Sequence, residues 1–155
     1  MLKKYAFTGE KHPNHLRLRR IVALRDFGDV KEGDAGGWIE DELNLSHKGV
    51  CWVYDNAGVC DRSRVWGDAW IMGEAMLYHD VKVCDCAQVC ERARLYNNVR
   101  VYGDARVWGN VMLFDNVHVY GIAKVCGDTQ MRGDTRLYQR DPSTLYVAQD
   151  ARFKD

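Results

Sequence analysis

The sequence predicts an all-β fold, a parallel β-helix in which a triangular solenoid of about five coils of eighteen residues carries an N-terminal β-hairpin cap. Three observations point there. Residues 53 to 136 divide into fourteen hexads with no residue inserted or lost. Every hexad opens on Val, Ile, Leu or Met and carries Ala, Ser, Val or Thr at its fifth position, one large and one small inward residue per unit. The third position is Gly, Asp or Asn in twelve of the fourteen, and these residues tolerate the left-handed dihedrals of a corner. Two residues of strand plus a corner are too short for a hairpin, so the fixed period implies stacked coils with three sides of six. Fourteen Gly against two Pro, with many Val beside aromatic residues, agree with short regular strands rather than helices.

The chain is read as one domain in three parts. Residues 1–52 break the period; 3–7 and 16–24 have the composition of two strands around the polar segment 9–14. Such a hairpin covers the open end of a solenoid, whose last rung otherwise presents unpaired backbone groups. Residues 53–138 are the repeats, with Leu137-Tyr138 opening a fifteenth. Residues 139–155, with Leu145-Tyr146-Val147-Ala148 after Asp141-Pro142, are expected to cap the other end.

Composition excludes several classes. At this length a fold buries roughly two-thirds of its unfolded surface, so the six Cys need not be disulfides. No stretch approaches the roughly 18 to 20 apolar residues that span a bilayer. After Lys3 and Lys4 the chain reads Tyr-Ala-Phe-Thr-Gly-Glu, with neither an apolar core nor a small-residue cleavage site, so no secretory signal is expected and the cytoplasm is the default compartment. Lys+Arg and Asp+Glu balance at 22 each, which argues against indiscriminate polyanion binding. The sum hides a segregation: Asp gathers at corners, while seven of the fourteen sixth positions, on the flat faces, carry Lys or Arg.

Residues eighteen apart stack at the strand spacing of ~4.8 Å, which turns the sequence into a surface map. One face carries Arg64, Lys82, Arg100, His118 and Arg136 in a column, beside Trp66, Cys84, Tyr102, Tyr120 and Tyr138. A basic ladder next to an aromatic ladder suits phosphate binding and base stacking, and makes Arg64, Lys82, Arg100, His118, Arg136, Trp66, Tyr102 and Tyr120 candidate ligand contacts. The competing explanation is a solvated face neutralised at the corners, with Asp61 near Arg64, Asp80 near Lys82, Asp115 near His118 and Asp134 near Arg136. Arg100 follows Asn97-Asn98 and lacks such a neighbour. A second face offers Met76, Tyr78, Tyr96, Met112 and Phe114 as an outward apolar strip, the mark of an interface. The third, with Trp52, Trp70, Gln88, Arg106 and Lys124 beside Tyr54, Met72, Cys90, Trp108 and Cys126, is mixed.

No metal site or disulfide is expected from the cysteines. Cys84 and Cys90 fall on different faces, and Cys90 and Cys126 lie two rungs apart, ~9.6 Å. Cys84-Asp85-Cys86 has no second pair eighteen residues away, so surface and corner thiols are expected. His12, His15 and His47 read as solvent-exposed, and no phosphate loop or Ser/His/Asp signature appears.

The hexads resemble the hexapeptide repeat of left-handed parallel β-helices over residues 53–138. The motifs Phe7-Thr8-Gly9-Glu10, Asp26-Phe27-Gly28, Gly36-Gly37-Trp38-Ile39-Glu40, Asn44-Leu45-Ser46 and Trp52-Val53 further resemble small bacterial and prophage proteins of the YdcK type, which are assigned as transferases on the repeat alone. The resemblance implies a left-handed coil and a homotrimer, for which the Met76 to Phe114 strip is the expected contact. It also implies, as one alternative, an acyltransferase with coenzyme A as cofactor and a histidine general base. No loop interrupts the repeats, so corner residue His79 is the one repeat histidine placed to act as that base. His79 and His118 are 39 residues apart, not a multiple of eighteen, and cannot form the three-histidine zinc site of carbonic-anhydrase relatives. The leading expectation is a non-catalytic trimer, without cofactor, that captures a phosphate-bearing ligand such as a nucleotide, and in a prophage setting interferes with a host process. A structural scaffold that binds a protein partner is the third reading, and nucleic acid stays open as a ligand.

Overall fold

Two-residue strands recur every six residues in the computed structural model, which describes residues 2–142 and 147–152. They assemble into three parallel stacks, the faces of a β-solenoid. The leucine face holds Gly58–Val59, Met76–Leu77, Arg94–Leu95, Met112–Leu113 and Gln130–Met131. The mixed face holds Trp52–Val53, Trp70–Ile71, Gln88–Val89, Arg106–Val107, Lys124–Cys126 and Val147–Gln149. The basic face holds Arg64–Val65, Lys82–Val83, Arg100–Val101, His118–Gly121 and Arg136–Gln139. Register follows the period: Leu95 pairs with Leu77 and Leu113, and Arg100 with Lys82 and His118.

The hexad positions do what their chemistry dictates. First-position residues from Val53 to Leu137 and fifth-position residues from Ala57 to Thr129 are buried in the prism. The two buried hydroxyls at fifth positions of the repeat have backbone partners: Ser63 Oγ accepts the Val81 N–H at 3.1 Å, and Thr129 Oγ1 donates to the Cys126 carbonyl at 2.7 Å. Corners are left-handed at Asp55, Asp61, His79, Asp85, Glu91, Asn97 and Asp115. There the carboxylates of Asp55, Asp85 and Asp115 take the backbone N–H of Gly73, Gly103 and Gly133, eighteen residues on. Asp is favoured at these corners because one short side chain both tolerates the turn and ties a coil to the next.

The N-terminal block contains the expected hairpin, β1 (Tyr5–Lys11) and β2 (Arg19–Ala23), and also a third strand, β3 (Ala35–Ile39), that the sequence reading did not place. β3 runs antiparallel to β2 and parallel to Gly58–Val59, so the hairpin prolongs the leucine face. Coiling therefore starts at Ile39 and gives that face six parallel rungs. Twenty residues separate Ile39 from Val59 and Leu45 from Val65, against eighteen from Val53 to Ile71. The two extra residues lie between Leu45 and Val53 and mask the first coil in the sequence.

This block plugs the open end. Tyr5, Ile21, Phe27 and Val30 join the solenoid core. The Tyr5 hydroxyl donates to the Leu45 carbonyl at 2.6 Å. Asn44, in the single turn of 3-10 helix Glu42–Asn44, donates through its side chain to Ser63 O at 2.8 Å. Trp52, expected to point outward on the mixed face, is 1% exposed instead, with the Phe27 ring 5.1 Å away. Gly36 makes room for it, since a Cβ there would lie 2.6 Å from Trp52 Cζ2. At the other end Val147–Gln149 adds a rung beside Lys124–Cys126, and Arg152 bridges to Gln130. Leu145 and Tyr146, also named for the C-terminal cap, lie outside the described residues. Among the described residues no helix is long and apolar enough to cross a membrane.

Candidate functional site

The basic face brings the expected ladder together in register, Arg64 to Lys82 to Arg100 to His118 to Arg136. Its aromatic column is continuous over three coils. Tyr102 stacks on Tyr120 at 4.9 Å between ring centroids and Tyr120 on Tyr138 at 4.8 Å. Trp66, 39% exposed, stands apart because Cys84 occupies the coil between it and Tyr102. Parallel strand pairing enforces this stacking: equivalent residues on neighbouring rungs are held at the strand spacing, which suits flat rings.

The charges are compensated unevenly. Lys82 Nζ lies 3.1 Å from the Asp80 carboxylate. Asp61, the neighbour anticipated for Arg64, faces Arg17 of the N-terminal block at 3.1 Å instead. Arg136 Nη1 donates to His118 Nδ1 at 3.0 Å. That contact keeps His118 neutral with its proton on Nε2. Burial, and then the charges of Arg136 and Arg100, hold His118 below the ordinary histidine range. Among the described residues, the half-buried Arg100 makes neither an ion pair nor a side-chain hydrogen bond, and Tyr102 precedes the next corner beside it. An unpaired guanidinium flanked by Lys82 and His118 creates a local positive field next to exposed π-faces.

His79 sits at a left-handed corner, φ 69°. Its Nδ1 accepts the Asn97 backbone N–H at 3.1 Å, and its own N–H donates to Asp61 at 2.9 Å. The imidazole thus takes the place that Asp fills in other coils. With Nδ1 engaged, the neutral ring presents Nε2–H, a donor rather than a base. Tyr78, Tyr96 and Phe114 stack at 5.1 and 4.8 Å on the leucine face. Met76 and Tyr78 pack against Leu18, Trp38 and Cys60, leaving Tyr96, Met112 and Phe114 farther from the hairpin.

Not all the thiols are on the surface: Cys51, Cys60 and Cys126 are buried. Cys51 lies 3.3 Å from the Lys4 ammonium, which also donates to the Cys51 carbonyl at 2.7 Å; burial draws the Lys4 pKa down. Burial and the nearby acids Glu40 and Asp61 push the Cys60 thiol up to about 12. Sequence reasoning also missed that His15, Glu40 and Cys60 converge. No coil arithmetic could bring His15 there, because it is delivered by the hairpin.

Comparison with known proteins adds one relation. The chain is 37% identical over 57 residues to the "Uncharacterized acetyltransferase YdcK" of Escherichia coli (strain K12), a stretch covering 37% of this chain and 18% of that protein. No family model matches the chain. The relation and the three-faced solenoid both agree with the hexapeptide-repeat, YdcK-type resemblance of the sequence.

Proposed function

We propose that this chain is a non-catalytic binding protein that captures a phosphate-bearing aromatic ligand, a nucleotide by class, on the basic face. The observation that carries the reading is the unpaired Arg100 guanidinium beside the Tyr102–Tyr120–Tyr138 stack. A guanidinium offers a planar fork of donors that matches phosphate oxygens, and stacked phenols offer a platform for a base. Titration calorimetry at low salt with ATP, coenzyme A and a short oligonucleotide tests it. Hydrogen bonds to charged groups contribute about 1.5 to 3 kcal/mol, so Arg100→Ala is expected to weaken binding at least about 10-fold. Tyr102→Ala should weaken it by a comparable factor through lost stacking, on the order of 1 to 3 kcal/mol. Absence of binding by all three probes, or affinities unchanged in both variants, would refute the reading.

A second reading, acyl transfer from coenzyme A, is favoured by the name of the relative. Coenzyme A carries an adenine nucleotide and would use the same face, so binding alone does not separate the two. Turnover does: acyl-CoA consumption in the presence of amine or hydroxyl acceptors, abolished by His79→Ala, supports the second, and saturable binding without turnover supports the first. The assembly we propose is a homotrimer whose contact centres on Tyr96, Met112 and Phe114. Sedimentation as a monomer at high concentration would contradict it.

A further inference from the structure

His15, Glu40 and Cys60 come from three separate places: the loop between β1 and β2, the residue after β3, and the residue after the strand Gly58–Val59. Their ligand atoms nevertheless lie within 4.8 Å of one another, with His15 Nε2 3.9 Å from Cys60 Sγ. Cys60 is fully buried among Leu18, Trp38, Met76 and Tyr78. The Glu40 side chain is 12% exposed, and its Oε1 is wholly enclosed and accepts no hydrogen bond among the described residues. An enclosed carboxylate oxygen without a donor is unfavourable and calls for a cation. Arg17 forms an ion pair with that oxygen at 3.5 Å without hydrogen-bonding it, while its guanidinium also lies 3.1 Å from Asp61 and is largely exposed.

We infer that these three side chains form a zinc-binding site that fastens the hairpin to the first two coils. The donor set decides the metal. Imidazole nitrogen, thiolate sulfur and one carboxylate oxygen suit zinc, whereas magnesium and calcium demand oxygen ligands. Tetrahedral zinc, with Zn–N of about 2.0 Å and Zn–S of about 2.3 Å, places nitrogen and sulfur about 3.5 Å apart. The observed separation of 3.9 Å needs to close by only a few tenths of an ångström. Three protein ligands leave a fourth position for water. Arg17 keeps Asp61 as its counter-ion, so a divalent ion at the trio does not displace it into apolar surroundings.

The test is cobalt titration of the full chain after chelation, followed by competition with zinc. One equivalent should produce the near-ultraviolet thiolate-to-cobalt absorption, zinc should abolish it, and zinc should raise the melting temperature. His15→Ala, Glu40→Gln and Cys60→Ser should each weaken binding by roughly 10-fold or more, by analogy with the losses that follow even indirect disturbance of a metal ligand. Cys86→Ser, at an exposed corner, should leave it unchanged. His15 is a loop residue outside the core, so its variant remains decisive if Cys60→Ser folds poorly. No absorption in the parent protein, an undiminished signal in His15→Ala or in a folded Cys60→Ser, or its loss in Cys86→Ser overturns the site.

Discussion

Replacing Leu95 by Ala removes three carbons from the middle of the stack, where the side chain is fully buried with Leu77 and Leu113 paired on either side. The lost transfer free energy is about 2.5 kcal/mol at ~0.8 kcal/mol per methylene. The cavity adds to it, because the coils cannot close in: the Tyr78 N–H donates to Leu95 O, and the Tyr96 N–H to Leu113 O, each at 2.9 Å. A total of about 3 to 5 kcal/mol is expected. In a solenoid, stability is a sum of coil terms and nearest-neighbour interfaces, so a central coil weakens both of its interfaces. Leu137, 9% exposed on the last rung of the basic face, has neighbours mainly on one side, and Leu137→Ala should cost about half as much. Urea unfolding followed by far-ultraviolet circular dichroism measures both. Leu95→Ala should lower the melting temperature by roughly 10 °C, with an unchanged urea dependence if the coils unfold together. A loss below about 1.5 kcal/mol for Leu95→Ala, or an equal loss for Leu137→Ala, would refute the reasoning, since both contradict a rigid ladder that resists collapse.

Acidification should destabilise the fold before the carboxylates titrate. Burial holds His12, His47 and His118 below the ordinary range, so the unfolded chain binds more protons once pH drops below about 6.5. The urea midpoint should be flat between about pH 7 and 8, below the range where unfolded thiols ionise, and fall from pH 7 to pH 5.5, with a shallower fall in His47→Gln; a midpoint that rises on acidification contradicts the sign. Gly36→Ala should cost about 2 to 3 kcal/mol, because the added Cβ meets Trp52 at 2.6 Å and Ile21 at 2.7 Å, whereas Gly9→Ala meets nothing within 4 Å and should cost about 1 kcal/mol through its left-handed φ. Lys4→Met should cost about 1 to 3 kcal/mol by stranding the Cys51, Lys48 and Gly49 carbonyls. Limited proteolysis should then cut the hairpin first, and cleavage inside the repeats ahead of it would show that Lys4 does not anchor the plug.

Sequence arithmetic alone located the columns of the basic face, because a strict eighteen-residue coil converts distance along the chain into position on a surface. It could not say where the side chains would find partners when the neighbour came from the aperiodic block. Asp61 belongs by period to Arg64, yet the N-terminal block supplies Arg17, and Asp61 turns to it. Cys60 and Trp52 occupy outward positions, yet both are buried, under Leu18 and Trp38 in one case and against Phe27 in the other. The first coil itself was hidden by two residues added between Leu45 and Val53. These departures share one cause: they lie where residues 1–50 meet the first coils, and their contacts depend on how a hairpin packs rather than on a repeat. Arg100 is different. It lies two coils beyond Arg64, and its corner carries Asn97 and Asn98 where the corners before Arg64, Lys82, His118 and Arg136 each carry an Asp. Asn97 spends its amide on Asp115 at 3.1 Å. Among the described residues the lack of a counter-ion at Arg100 agrees with that composition, so the feature that carries the proposed ligand contact was readable in the sequence, while the trio of His15, Glu40 and Cys60, assembled at the junction, required the structure.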